Sequence, residues 1–302
     1  MRGIEVKDVS KTYKDTKALD HVDIYLEENK IYGLLGRNGA GKTTLLNVIN
    51  NRVYADEGTV TLNGDILTEN DEALNHLYFT SEKLLFPEGM KVKKIFRWTK
   101  EFHPAFDMDY ALRVAELFGL HLNKKSSALS TGYKSILKNV IALSVNTPYI
   151  FLDEPVLGLD ANHRELFYKL LIEKYSENPF TIVISTHLIE EVSNIIEDVI
   201  IIKNGEIIEK GSCEDLLKRG YAISGTAASV NNYIRNNMIN GKVIGEDSIG
   251  NLKSVYILGK PKETLPENLE ACQVFCVSFK KKIYGEGNLP LCIVSNFIRL
   301  LY

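Results

Sequence analysis

Residues 31–50 read IYGLLGRNGAGKTTLLNVIN, and their reading decides the fold. An apolar run, IYGLL, leads into a glycine-rich turn, and LLNVIN follows at helical spacing. Gly36, Gly41, Lys42 and Thr43 satisfy G-x-x-x-x-G-K-[ST] in the strand–turn–helix setting that this motif requires. The glycines let the loop, with Asn38, Gly39 and Ala40 inside it, curl so that several amides point at one anion. They do so at a helix N-terminus that already favours negative charge. Lys42 is placed to reach the β- and γ-phosphates of a nucleotide, and the Thr43 hydroxyl to ligate Mg²⁺. Thr44 completes the candidate phosphate contacts. A glycine turn with a lysine would mean little alone; the strand before it and the helix after it set it apart.

A metal needs a carboxylate and an attacking water needs a base. YIFLDEP at 149–155 supplies both: a short apolar strand delivers Asp153 and Glu154 at its C-terminal end, where ligands gather in open α/β sheets. Asp153 is the candidate Mg²⁺ ligand, mostly through water, and Glu154 the candidate base. Two acids can also be a solvated strand end, but their pairing with the phosphate loop argues for the site.

With these two motifs in place, residues 2–219 resemble the ATP-binding cassette (ABC) family. Further stretches carry the resemblance: DEPVLGLD at 153–160, FTIVISTH at 180–187, KTYKD around Tyr13 and LSTGY at 129–133. It implies that Tyr13 stacks on adenine, that Asp160 ends the dimer-contact loop, and that His187 is the switch histidine reaching the γ-phosphate. It also implies that Ser130 and the Gly132 amide face the γ-phosphate held by a second subunit. On residues alone each has a plainer reading. Ser130 caps a helix, His187 is a structural histidine, and Tyr13 packs on its sheet. The signature departs from the family's Leu-Ser-Gly-Gly-Gln at Thr131 and Tyr133, and the usual arginine after it is missing. Glu82 stands where the family has glutamine. A carboxylate there is a stronger metal ligand but repels phosphate, so Glu82 is either a metal-sensing residue or an ordinary loop acid.

The implied fold is α/β, a P-loop NTPase ABC cassette with a mixed sheet core, an antiparallel β part and a helical subdomain, followed by a small C-terminal α+β domain. Strand-like alternation at 2–9, 21–27 and 58–64 gives the antiparallel part, and helical periodicity from about 89 to 146 gives the subdomain, with a turn at 103–109. Residues 187–212 read as helix, strand, turn at Asn204-Gly205 and strand. The family match stops at Arg219, so residues 220–302 are expected to form the accessory domain: a strand from YAISG, a helix over AASVNNYIRNNM, a hairpin to Gly259, a loop at 260–268, a strand in LEACQVFCVSF and a final short helix.

A formal net charge of -3 leaves no general footprint for nucleic acid or an anionic membrane. Cys213, Cys272, Cys276 and Cys292 form no metal pattern and read as reduced thiols. No apolar stretch approaches the roughly 20 residues of a membrane span, and no signal-peptide stretch opens the chain. The basic run FKKKIY at 279–284 reads as a solvated face. The resemblance therefore implies an ATP-hydrolysing, Mg²⁺-dependent subunit on the cytoplasmic face of the membrane. It would pair with a second cassette, identical or paralogous, and drive a permease on a separate chain. LSTGY with a C-terminal extension resembles bacterial exporter ATPases for peptides, drugs or amphipathic compounds. The alternatives are a soluble ABC ATPase acting on ribosomes or DNA, and a regulatory sensor.

Overall fold

The computed structural model describes residues 2–81, 85–187, 192–217, 220–237, 243–258 and 269–273. The chain forms two compact units, Met1–Leu188 with Ile195–Glu209, and Ile189–Asn194 with Lys210–Tyr302.

In the first unit β1 (Gly3–Tyr13), β2 (Thr16–Glu27), β4 (Glu57–Leu62) and β5 (Asp65–Ile66) form an antiparallel sheet in the order β2-β1-β4-β5. β1 and β2 make one long hairpin rather than the shorter strands that alternation suggests. Lys14 takes φ 54° in its tight turn, and register shifts after Val6 and Val9 break the alternation without ending the strand. The second sheet contains β3 (Ile31–Leu35), β6 (Leu77–Thr80), β7 (Tyr149–Asp153), β8 (Thr181–Thr186), β9 (Asp198–Lys203) and β10 (Glu206–Ser212) in the order β10-β9-β3-β8-β7-β6. β9, β3, β8, β7 and β6 pair in parallel. β3, β7 and β8 are buried along their whole length, as continuous apolar strands covered on both faces are. The core joins the two sheets through Ile4, Leu19, Leu26, Leu34, Leu45, Phe151 and Val183.

The helical part consists of α3 (Val92–Phe102), α4 (Met108–Leu117) and α5 (Thr131–Ser144), preceded in the chain by α1 (Lys42–Ile49) and α2 (Asp71–Leu74). Asp107 caps α4 from the expected 103–109 turn, its side chain accepting from Tyr110 N. After Asp160 comes α6 (Ala161–Glu177). The helix expected from His187 falls partly on 188–191, outside the described residues.

The second unit has its own core. β11 (Gly220–Thr226), β12 (Val243–Ile249), β13 (Leu252–Leu258) and β14 (Leu269–Gln273) pair antiparallel in the order β12-β13-β11-β14. Helix Ala227–Asn236, capped by Thr226, packs Val230, Tyr233 and Ile234 with Ile223, Val255, Ile257 and Leu269 of the sheet. The expected loop at 260–268, the basic run and the final helix lie outside the described residues.

Candidate functional site

The loop between β3 and α1 closes on its own lysine. Gly41 sits at φ 113°, and a Cβ there would lie 2.6 Å from the Ala18 carbonyl oxygen, so glycine is needed for both conformation and space. No side chain caps α1, which leaves its first-turn amides available to an anion. Lys42 is buried. Its ammonium donates to the carbonyls of Gly36 at 2.7 Å and Arg37 at 3.3 Å, and lies 3.7 Å from Glu154 Oε1. Burial pulls the Lys42 pKa down, while the charges of Glu154 and Asp153 pull it back up.

The acid pair is held by the neighbouring strand. Asp153 is opposite Ser185 in the β7–β8 register. Its buried carboxylate accepts from Thr43 Oγ1 at 2.7 Å and Ser185 Oγ at 2.8 Å. Glu154 takes φ 48°, a left-handed conformation that costs a non-glycine residue about 1–3 kcal/mol unless its surroundings enforce it. They do so here. The Glu154 amide donates to the Ser185 carbonyl at 2.9 Å, the Thr186 hydroxyl donates to Oε2 at 3.3 Å, and His187 Nδ1 lies 2.9 Å from Oε1. The strand order thus delivers His187 to the carboxylate next door.

These groups face one cleft of about 620 Å³, lined by Asn38, Gly39, Gly41, Lys42, Thr43, Thr44, Asp153, Glu154 and His187 among others. Thr16, Lys17 and Ala18 of β2, Arg37, Leu157 and Asn204 also line it; the first three lie in no quoted motif, and the others lie in quoted stretches without having been assigned a role. Gly36 and Ala40 support it through main-chain carbonyls, accepting from Lys42 and from Gly205 N. Tyr13 does not line the cleft. It stands 45% exposed at the end of the same hairpin, opposite Thr16, with the Lys11 ammonium 5.7 Å from its ring centre. Glu82 lies outside the described residues.

Ser130, Gly132 and Asp160 are likewise not part of the cleft lining. Ser130 is the N-cap of α5, accepting from Tyr133 N at 3.3 Å, and is exposed. Gly132 packs so closely on the following loop that a Cβ would fall 2.6 Å from the Gly158 carbonyl oxygen. Tyr133, the residue that departs from the family signature, packs edge-on to the His163 ring at 6.3 Å. His163 in turn belongs to Asp160: its amide donates to Oδ1 at 2.9 Å, and Nδ1 lies 2.8 Å from Oδ2. The amide bond from His163 is the main cause holding the Asp160 carboxyl below the usual range. Sequence reading gave His163 no role, because a histidine three residues into a helix carries no pattern.

The donor set fits a magnesium nucleotide. Thr43 and Asp153 bring hard oxygens 2.7 Å apart beside the open amides of α1. Among the described residues no group of three or more His, Cys, Asp or Glu could hold a metal unaided. Mg²⁺ held by Thr43 and Asp153 would take its remaining ligands from substrate phosphates and water.

The comparisons agree with this geometry. The sequence model described as ABC transporter matches residues 19–157. AlbC of Bacillus subtilis, named as an ABC transporter ATP-binding protein, is 32% identical over 243 residues, covering 74% of this chain and 99% of its own. BcrA of Enterococcus faecalis, a bacitracin transport ATP-binding protein, is 28% identical over 222 residues, covering 72% and 71%. The cassette MJ0796, solved as a dimeric post-hydrolysis state bound to ADP and Pi, superposes with a TM-score of 0.62 at 25% identity, covering 69% of this chain and 98% of that one.

Proposed function

Because the chain belongs to the ABC transporter ATP-binding family and is an ATPase of that family, we propose that it hydrolyses ATP as one of two cassettes driving a membrane permease on a separate chain. The observation that carries this reading is the division of the site. Lys42, Thr43, Asp153, Glu154 and His187 share one cleft, while Ser130 and Gly132 lie outside it, with Ser130 exposed. A second cassette would complete the cleft with its own Ser130 and the N-terminus of its α5.

Within the completed site each group has a role. Lys42 exchanges its carbonyl partners for β- and γ-phosphate oxygens, which relieves the cost of its burial. Thr43 and Asp153 would hold Mg²⁺, which would supply charge neutralisation at the phosphates. Glu154 accepts the proton of the attacking water. His187 steadies Glu154 and reaches toward the γ-phosphate. Tyr13 offers an exposed face to adenine, and Asp160 with His163 fixes the dimer-contact loop.

A groove of about 610 Å³ beside α3 supports docking of a permease segment. Lys93, Lys94, Arg97 and Trp98 line it. Among the described residues no helix is long and apolar enough to cross a membrane; the proposed place of the subunit, at the cytoplasmic face, follows from its pairing with a permease. LSTGY, the C-terminal unit and the likeness to a bacitracin transport ATPase support export of peptides, drugs or amphipathic compounds. Residues 220–302 are proposed as an accessory domain to the cassette at 2–219.

The test is affinity capture of the tagged chain from detergent-solubilised native membranes, with the nucleotide-trapped variant Glu154→Gln run in parallel. Stoichiometric recovery of a multi-spanning protein, and an ATP-locked dimer for the variant, are expected. Capture with ribosomes or DNA instead would overturn the transport reading in favour of a soluble cassette ATPase.

A further inference from the structure

The face of α5 turned toward the acid-pair loop carries polar groups where a core helix ordinarily carries apolar ones. Ser135 Oγ donates to the Leu157 carbonyl at 2.8 Å, and Asn139 Nδ2 donates to the Pro155 carbonyl at 2.9 Å. With Gly132 against Gly158, positions 132, 135 and 139 put one stripe of the helix on the main chain just after Glu154. Lys138, also buried, donates to the Ser81 carbonyl at the end of β6.

Asn139 is 1% exposed and its Oδ1 has no partner among the described residues. An unpaired buried oxygen costs about 1–3 kcal/mol, so leucine would suit the surrounding core better. What the amide provides is a donor for the Pro155 carbonyl. The connection to Glu154 is direct: the Leu157 amide donates to the Glu154 carbonyl at 3.1 Å, and the Leu157 carbonyl accepts from Ser135. Glu154 is therefore gripped by Ser185 on one side and by the α5 stripe on the other. Its left-handed φ of 48° sits between the two.

We propose that Ser135 and Asn139 are positioning residues for Glu154, holding its carboxylate at the angle from which it can take a proton from water. This rests on the reading of Glu154 as the base. A misplaced base slows chemistry without weakening ground-state nucleotide binding, because neither Ser135 nor Asn139 lines the cleft.

The experiment is steady-state ATPase kinetics of the full chain with Ser135→Ala, Ser135→Thr and Asn139→Leu, each also made with Glu154→Gln. Displacement of a reacting group by less than an ångström predicts a kcat about ten-fold lower for Ser135→Ala and Asn139→Leu, with KM within about two-fold of the parent. Ser135→Thr, which keeps the hydroxyl, is expected to recover most of the rate. Asn139→Leu is expected to melt no lower than the parent, and neither α5 change should lower further the residual rate of Glu154→Gln. Parent-level kcat in both single variants, with Glu154→Gln inactive, overturns the inference alone. A loss of equal size in the Glu154→Gln background, or one that follows a fall in melting temperature, overturns it in favour of plain structural support. Parent-level turnover by Glu154→Gln removes the base assignment and the inference with it.

Discussion

Replacing Gly132 by alanine tests whether α5 and the acid-pair loop are as tightly packed as described. The added Cβ would lie 2.6 Å from the Gly158 carbonyl oxygen, at least about 0.4 Å closer than real Cβ atoms come. The oxygen has little room to retreat, because the neighbouring Leu157 carbonyl is held by Ser135. Forcing atoms into a packed contact costs about 1–3 kcal/mol. Alanine returns up to about 1 kcal/mol through its better helix propensity, less in a first turn. The net expectation is a loss of about 1–2 kcal/mol, or roughly 1.5–3 °C in melting temperature for a chain of 302 residues. Thermal unfolding followed by circular dichroism reads this directly. Gly89→Ala is the control, since a Cβ there meets nothing within 4 Å. Nucleotide affinity of the isolated chain should hold, because Gly132 does not line the cleft, while turnover should fall as the α5 N-terminus shifts. A Gly132→Ala chain that melts at or above the parent temperature would refute the close-packing argument.

Other outcomes follow from the site. Lys42→Ala removes the buried ammonium 2.7 Å from the Gly36 carbonyl, and ATP binding measured by calorimetry should weaken by at least about a hundred-fold, as loss of a charge-assisted contact to phosphate predicts. Ser130→Asp keeps a capping oxygen for α5 but places a negative charge toward the partner's phosphate. Stability and monomer ATP binding should be retained and ATPase activity should fall; equal loss of monomer binding would refute the trans contact. His21 has its pKa raised above 6.5, first by the hydrogen bond its ring donates to the Asp8 carboxylate and then by the charge of Asp8. A raised folded-state value means that this pair's contribution is fully present below pH 6.5 and fades as pH climbs through the raised value. His21→Gln should therefore narrow the gap in melting temperature between pH 5.5 and 8.5; an unchanged gap would show the pair to be inert.

Much of the nucleotide site was legible because its chemistry is local. In GRNGAGKTT the turn, the helix start and the lysine are neighbours in sequence, so nearest-neighbour sterics and the helix N-terminus dictate an anion cradle before any tertiary contact forms. YIFLDEP likewise announces a buried strand with acids at its end. The hairpin of β1 and β2 was read too short for the opposite reason. Its bulges interrupt side-chain alternation, while its continuity resides in main-chain hydrogen bonds that no side chain records.

By itself, then, the sequence determined the phosphate loop, the acid pair, the helical stretch and the family they resemble. Tertiary structure alone decided that β8 lies beside β7, which puts Ser185 on Asp153 and His187 on Glu154, and that Lys42 is buried against Glu154. It also decided that Ser135 and Asn139 reach the carbonyls of Leu157 and Pro155. The physical reason is that strand neighbours are chosen by long-range burial of apolar faces, and carbonyl acceptors are identical at every residue. The partners of a serine or an asparagine therefore leave no trace in the order of side chains.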